Sequence, residues 1–354
     1  MQRRKKLLKS AAMKAAANAP TREREMEGAR VPGEPGGILR FYDLSSPSGG
    51  FLEDVLQGLA AKEKVIPARY MHDQRAEVLF ARVCELPGYY AMRAETGILR
   101  ENARAIASLL GPACQLMEFG CGAEARSRLL IDAVRPPLYV PIEADGDLLR
   151  LVGARLFADF PRMNISGLVA DYARGLVLPK FAGVQLQKKA VFYPGAAVGC
   201  FTPFEAQAFL AMTCRLVGPG GVLLIGVDLK KDWNMLGAAC DDPAGVIAAY
   251  HLNLLERINR ELGADFQMRR FRYGASYDAA RGWVETHIES DYSQFVRIAG
   301  QRFDFRVGER IQTGIACKYS VDEFRALAET AHFNCEKVWI DPHNLFAVFG
   351  LVAQ

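Results

Sequence analysis

The chain has 354 residues, half of them hydrophobic, so it is longer than one ordinary domain needs and can bury a sizeable core. Its net charge of +4 is uneven: the first 24 residues carry +7, which leaves about −3 on the other 330 and argues against a nucleic-acid-binding body. No apolar run reaches the roughly 18 residues of a membrane span. The eight cysteines form neither a CxxC pair nor a Cys/His cluster at zinc spacing, which predicts reduced thiols, a cytoplasmic location and no metal site.

The N-terminal segment, residues 1–45, is predicted to be a basic, disordered tail. Lys9 and Lys14 interrupt its apolar residues, which also argues against the continuous apolar centre of a translocation signal. Pro32 and Pro35, with their flanking glycines, are expected to mark the end of the tail.

The most informative stretch is QLMEFGCGAEARSRLL, residues 115–130. An apolar run ending at Phe119 gives way to Gly120 and Gly122, and a helix-compatible segment follows. Glycines at such a turn let the backbone pass close to a ligand, and the N-terminus of the following helix presents free N–H groups to it. A GxG pair is common by chance, so the turn predicts a ligand site only together with the strand ends that follow.

Acidic residues end the next two predicted strands. The strand from Leu138 to Glu143 ends in a carboxylate suited to ribose hydroxyls, and the strand from Asn164 to Ala170 leads into Asp171 and Tyr172, which suit an adenine. Glu118, at the end of the first strand, would repel a diphosphate but suits a positively charged ligand such as the sulfonium of S-adenosylmethionine. The three strand ends together predict an adenosine site.

Strands and helices alternate along most of the chain, which predicts an α/β fold with a parallel sheet. Helices are predicted from Phe51 to Lys62, Ala76 to Leu86, Ala125 to Val134, Pro203 to Val217, Val246 to Leu262 and Val321 to Ala331. Further strands are predicted from Ala190 to Tyr193, Gly220 to Asp228, Glu336 to Ile340 and Leu345 to Phe349, the last two as an antiparallel hairpin that closes the sheet. Strand-like segments between Phe266 and Cys317 predict a second lobe.

Several motifs occur in an order known from one family. They are YMHD (70–73), LPGYYAMRAE (86–95), EFGCGAEARSRLL (118–130), VFYPGAAVGCF (191–201), DLKKD (228–232), the run 241–266 ending in LNLLERINRELGADF, GERIQTGIACKYS (308–320) and VWIDPHNLFAV (338–348). Together they resemble the ergothioneine-pathway histidine Nα-methyltransferases, a branch of the class I S-adenosylmethionine-dependent methyltransferases.

The resemblance implies a Rossmann-like class I methyltransferase sheet with a second, smaller α+β substrate lobe. Residues 95–230 plus 319–354 would form the domain that binds S-adenosylmethionine, and residues 46–94 plus 231–318 the lobe that selects a small-molecule substrate.

The resemblance also implies the residues of the site. Cofactor contacts fall on Glu118, Gly120, Gly122, Arg126, Glu143, Asp171, Tyr172, Tyr193 and Gly195, with Arg126 in place of the family's lysine and Glu143 in place of its aspartate. Substrate contacts fall on His72, Tyr89, Tyr90, Cys200, Cys240, Gly314 and Ala316. His72 and Tyr89 are the candidate catalytic groups, although a lone histidine such as His72 is as readily a structural residue.

The substrate positions lack the family's polar groups. Cys200 stands where the family has an asparagine and Cys240 where it has a tyrosine, while Gly314 and Ala316 replace the glutamate and its neighbour that hold the imidazole. Each lost hydrogen bond to a charged substrate costs roughly 1.5–3 kcal/mol, so histidine is not expected as the substrate. We predict methyl transfer to N or S of another small, amino-acid-like molecule. The alternatives are transfer or cyclisation of the cofactor's aminocarboxypropyl group, which releases methylthioadenosine, and cofactor binding without catalysis.

Overall fold

The computed structural model describes residues 24–30, 36–44, 50–122, 124–172, 175–181 and 186–354. The helices are α1 (Phe51–Ala60), α2 (Gln74–Glu85), α3 (Ala91–Glu101), α4 (Ala103–Leu110), α5 (Glu124–Val134), α6 (Gly146–Asp159), α7 (Pro203–Val217), α8 (Trp233–Cys240), α9 (Val246–Leu262) and α10 (Val321–Thr330). The strands are β1 (Arg24–Arg30), β2 (Ile38–Asp43), β3 (Lys64–Val65), β4 (Cys114–Phe119), β5 (Leu138–Glu143), β6 (Asn164–Val169), β7 (Lys188–Tyr193), β8 (Val222–Asp228), β9 (Phe271–Asp278), β10 (Trp283–Ser290), β11 (Gln294–Ile298), β12 (Gln301–Phe305), β13 (Arg310–Cys317), β14 (Phe333–Ile340) and β15 (Phe346–Ala353).

A nine-stranded mixed sheet forms the centre of the fold, in the order β1-β2-β6-β5-β4-β7-β8-β15-β14. The strands from β2 to β8 in this order run parallel, and β15 lies antiparallel between β8 and β14. Every residue of β4 is buried, as expected for a parallel strand covered on both faces. The chain reverses its direction of travel across the sheet at β4, and ligands of open α/β sheets bind at the carboxyl edge beside such a point.

Helices cover both faces of this sheet. Met117 and Phe119 of β4 lie in a core shared with α7 and α10, whereas Leu116 lies in the opposite core with α3, α4, α5 and α6. Local sequence fixes where two of these helices begin, because Thr202 and Ser320 each form a capping box with the glutamate three residues on.

A second, four-stranded sheet in the order β3-β13-β10-β9 packs against α1 and α9 around its own core, which includes Val55, Leu254 and Ile288. The chain just after β13 joins the two sheets. The Tyr319 N–H donates to the Asp228 carbonyl at 3.3 Å, and the Lys230 N–H donates to the Tyr319 carbonyl at 3.0 Å. The end of β13 is therefore fixed beside the carboxyl end of β8.

The α/β class and its closing hairpin are confirmed. β5 and α7 have the predicted bounds, Leu138–Glu143 and Pro203–Val217, and β14 and β15 pair antiparallel. No helix in the described ranges is long and apolar enough to cross a membrane.

The prediction of a disordered tail is wrong from residue 24 onward, because Arg24–Arg30 form β1, which pairs antiparallel with β2. Residues Ile38–Asp43 form β2, which pairs in parallel with β6 and buries Leu39 and Tyr42. The strand is short and lies among glycines and prolines, so its apolar residues gave too weak a pattern to outweigh the tail's composition. Residues 1–23 lie outside the described residues.

The domain boundary predicted before residue 95 is displaced, since it falls inside the continuous helix α3. The division into two domains otherwise stays a prediction.

Candidate active site

The glycine turn follows β4 at the carboxyl edge of the large sheet. Gly120 has a φ of +78°, a left-handed conformation that favours glycine, and its N–H donates to the Ile142 carbonyl at 2.9 Å. A Cβ at Gly120 would meet only the Tyr172 hydroxyl, at 3.7 Å, so the backbone at this turn is open to a close approach.

Glu118 lies behind the turn, and this corrects its predicted role. Its side chain is fully buried, and its two carboxylate oxygens accept hydrogen bonds from Ser127 Oγ and the Tyr139 hydroxyl, each at 2.8 Å. Burial raises the pKa of Glu118 to about 7, a change that its hydrogen bonds only partly offset. A carboxylate so enclosed holds β4 to α5 and has no surface with which to meet a ligand's positive charge.

The strand-end acids and the aromatic ring lie next to the turn. The Glu143 carboxylate accepts from the Ala144 N–H at 2.8 Å, keeps part of its surface exposed, and has a pKa raised chiefly by burial. Asp171 is exposed directly after β6. The ring of Tyr172 stacks on Phe119 with centroids 4.8 Å apart. The geometry therefore provides two carboxylates and an aromatic face at adjacent strand ends, which suits an adenosine.

Arg126, at the start of α5, belongs to a buried charge cluster. It forms an ion pair with Glu95 of α3, and both oxygens of Glu95 also accept from the Gly195 N–H at 2.9 Å. Arg126 Nε is buried and has no hydrogen-bond partner among the described residues, so the ion pair with Glu95 is what holds the guanidinium in place. Tyr193, by contrast, is buried and packs edge-on against Phe119, as a core residue does.

A second cluster surrounds Asp228, where β8 ends. Asp228 Oδ1 accepts from the Tyr90 hydroxyl at 2.7 Å and from Lys231 Nζ at 2.5 Å, and Oδ2 accepts from Lys318 Nζ at 2.6 Å. Burial alone would raise the pKa of Asp228, but the two ammonium groups outweigh it and hold that pKa below its ordinary value. Lys231 lines an outer recess of about 840 Å³.

The predicted substrate residues Tyr89, Cys200 and Cys240 lie in the neighbourhood of the Asp228 cluster, and we call the space that they bound the cleft. Each keeps exposed surface, and partial desolvation raises the pKa of each. Cys200 is placed by the turn before it, because a Cβ at Gly199 would lie 2.7 Å from the Cys317 carbonyl oxygen and only glycine permits this approach. The turn that carries Cys200 is therefore packed directly against the end of β13.

His72 lies just before α2, and Gly314 and Ala316 lie in β13 of the second sheet. His72 keeps exposed surface, and partial desolvation, with the nearby Arg257 cation, lowers the pKa of its imidazole. Gly314 lies in β13 opposite Thr286, and a Cβ there would be 3.3 Å from Thr286 Oγ1. Gly314 and Ala316 are two residues apart in one strand and so lie on one face of the lobe sheet.

Three of these residues were not predicted. Glu95, Asp228 and Lys318 lie inside quoted motifs, but the sequence assigned none of them a role. Asp228 ends a buried strand in the same way as Glu143 does, and that common position is the signal that could have found it. Among the described residues, no group of three or more His, Cys, Asp or Glu side chains could hold a metal ion.

The strand order β6-β5-β4-β7-β8-β15-β14, with one antiparallel strand inserted before the last, and the glycine turn beside the strand-end acids define a class I S-adenosylmethionine-dependent methyltransferase. The model of a family described as histidine-specific, S-adenosylmethionine-dependent methyltransferases matches residues 51–353. The histidine N-alpha-methyltransferase of Mycolicibacterium smegmatis is 32% identical over 88% of this chain and 97% of its own. The chain therefore belongs to the histidine-specific methyltransferase family, and it is an S-adenosylmethionine-dependent methyltransferase.

More distant similarities are to other methyltransferases. The N-methyltransferase imqF of Aspergillus flavus is 22% identical over 83% of this chain and 82% of its own. Among solved structures, the S-adenosylmethionine-bound amino pentose methyltransferase CalS10 of Micromonospora echinaspora aligns over 80% of this chain and 98% of its own, with 18% identity and a TM-score of 0.40.

Proposed function

We propose that this enzyme transfers the methyl group of S-adenosylmethionine to a nitrogen or sulfur of a small, amino-acid-like acceptor other than histidine. The observation that carries the proposal is the lining of the cleft, where Cys200, Cys240, Gly314 and Ala316 occupy the positions that hold histidine in the family. None of these side chains can pair with a carboxylate and an imidazole together. A site that leaves a ligand's polar groups unpaired rejects that ligand by several orders of magnitude.

The protein's part in catalysis is positioning. Glu143, Asp171 and Tyr172 would hold the adenosine of the cofactor, and the turn at Gly120 would bound the rest of it. The cofactor supplies an electrophilic methyl group on a sulfonium. Holding the acceptor in line with that methyl group, away from bulk water, would supply most of what this displacement needs.

Methyl transfer to nitrogen receives added support from imqF, a relative named as an N-methyltransferase. The test incubates the enzyme and S-adenosylmethionine with histidine, with a panel of other amino acids and amines, and alone. Methyl transfer yields S-adenosylhomocysteine only with the true acceptor. Efficient methylation of histidine would overturn the argument from the cleft, and methylthioadenosine formed without an acceptor would show aminocarboxypropyl chemistry instead.

We also propose a cytoplasmic location. All eight cysteines are free thiols, and reduced thiols persist in that compartment. Fractionation of cells that express the native protein tests the proposal.

A further inference from the structure

Lys318 occupies a position of the cleft that the sequence did not assign. It follows Gly314 and Ala316 at intervals of two residues, so the period of an extended strand directs it to the same side of the chain. The hydrogen bonds between Tyr319 and the end of β8 hold this part of the chain beside the carboxyl edge of the large sheet. Burial raises the pKa of the Cys200 and Cys240 thiols, and the Lys318 ammonium lies close enough to oppose that rise at both.

The Lys318 ammonium is charged and only partly satisfied. Its side chain is 8% exposed, and burial would lower its pKa, but the Asp228 carboxylate outweighs burial and raises it. An ammonium has three N–H donors. Among the described residues, Lys318 Nζ makes one hydrogen bond, to Asp228 Oδ2, while Oδ1 of the same carboxylate is taken by Lys231 and Tyr90. Lys318 shares its counterion and keeps two donors for the cleft.

A buried cation with spare donors recognises an anion, and the anion that an amino-acid-like acceptor carries is its carboxylate. We propose that Lys318 is a specificity-determining residue that binds the acceptor's carboxylate in the cleft between Cys200 and Cys240. The assignment rests on the proposed function. It supplies a new carboxylate contact in a site where Cys200 has replaced the asparagine that serves this purpose in the family.

The experiment first measures which proteinogenic L-amino acids bind to the protein saturated with S-adenosylhomocysteine. For each amino acid that binds, it then measures binding of the corresponding α-amide. Titration calorimetry on the full chain compares the wild type with Lys318→Met, Lys318→Arg and Lys231→Met. Lys231 is the matched control, because it pairs with the same carboxylate but lines the outer recess. We expect the wild type to prefer an acid over its amide by about 10- to 150-fold, the range of one charge-assisted hydrogen bond. Lys318→Met should remove that preference, Lys318→Arg should keep part of it, and Lys231→Met should keep it.

Other outcomes overturn the assignment. If the wild type binds acid and amide equally well, Lys318 does not bind the acceptor's carboxylate. This result needs no variant, so it holds even if Lys318→Met fails to fold. The assignment is also overturned if a folded Lys318→Met protein keeps the preference for the acid. It is overturned as well if no amino acid binds while S-adenosylhomocysteine still binds. A loss of S-adenosylhomocysteine affinity in Lys318→Met beyond that in Lys231→Met would assign the ammonium to the cofactor. Failure of the wild type to bind S-adenosylhomocysteine would instead overturn the proposed function itself.

Discussion

Glu95 and Gly195 are 100 residues apart in sequence, and both carboxylate oxygens of Glu95 lie 2.9 Å from the Gly195 N–H. Glu95 is fully buried and also pairs with Arg126, so one carboxylate ties α3 to the turn after β7 and to the start of α5.

Glu95→Gln should therefore destabilise the fold strongly. The amide can still accept from the Gly195 N–H, but Arg126 is left as a buried charge without its counterion, which typically costs about 3–5 kcal/mol. Urea denaturation measures the loss. In the double variant with Arg126→Met the loss should be smaller than the sum of the two single losses; strictly additive losses would show that the two side chains do not act as a pair.

Glu118 should make stability depend on pH near neutrality. Its pKa is raised to about 7 from an ordinary value of 4.5, so the folded state holds this proton more tightly than the unfolded chain does. The contribution to the free energy of unfolding is full below about pH 4.5 and is lost as the pH rises to about 7, a change of about 3 kcal/mol. Glu118→Gln cannot titrate there, so the wild type should lose stability relative to this variant over that range. Parallel stability curves for the two proteins between pH 4.5 and 8 would contradict the raised pKa.

Glu143→Gln should weaken cofactor binding without unfolding the protein. The substitution removes a half-exposed charge that would accept from the ribose hydroxyls, so the Kd for S-adenosylhomocysteine should rise about 10- to 150-fold. Asp147→Asn on α6 is the matched control, since that side chain is 99% exposed and lies outside the site. If both variants bind S-adenosylhomocysteine equally well, the ribose role of Glu143 is wrong.

Strand β2 should contribute measurably to stability. Leu39 and Tyr42 are buried, and the ring of Phe41 covers Gly153 and Gly167, so close that a Cβ at Gly167 would lie 2.7 Å from it. Each large apolar side chain removed from the core costs about 1.5–3 kcal/mol. Deletion of residues 1–44 should thus lower the Tm well below that of a chain that lacks only residues 1–35. Equal melting temperatures for the two truncations would mean that β2 adds nothing to the core.

Restoring two family residues should restore some affinity for histidine. Gly314→Glu needs Thr286 to move by only a few tenths of an ångström, because the new Cβ would lie 3.3 Å from Thr286 Oγ1. Combined with Cys200→Asn, it should increase histidine affinity about tenfold or more, measured by calorimetry with S-adenosylhomocysteine present. Gly314→Gln with the same Cys200→Asn change controls for size; an equal gain in that protein would refute a charge interaction with the imidazole.

The sequence predicted the sheet and its carboxyl edge well because both are local patterns. A buried parallel strand is a continuous apolar run, and Glu143 and Asp171 each follow such a run directly. The same reasoning placed Glu118 at the ligand, since a one-dimensional pattern does not show that Ser127 and Tyr139 enclose its carboxylate.

The clusters around Glu95 and Asp228 could not be predicted in this way. The Lys318–Asp228 hydrogen bond spans 90 residues and the Glu95–Gly195 bond spans 100. Both depend on how two sheets and a helix pack together, and neither leaves a periodic signal in the sequence. The tail was misjudged for a related reason, because β2 gains its stability from β6, more than 100 residues away in the chain.

Two backbone hydrogen bonds between Tyr319 and the end of β8 connect the expected cofactor site to the expected acceptor site. The cofactor would meet the edge of the large sheet and the acceptor the face of β13, and these two surfaces cannot shift independently while those bonds hold. Thermodynamic linkage then requires that the factor by which the cofactor increases acceptor affinity equals the factor by which the acceptor increases cofactor affinity. The order in which the two ligands bind leaves that factor unchanged.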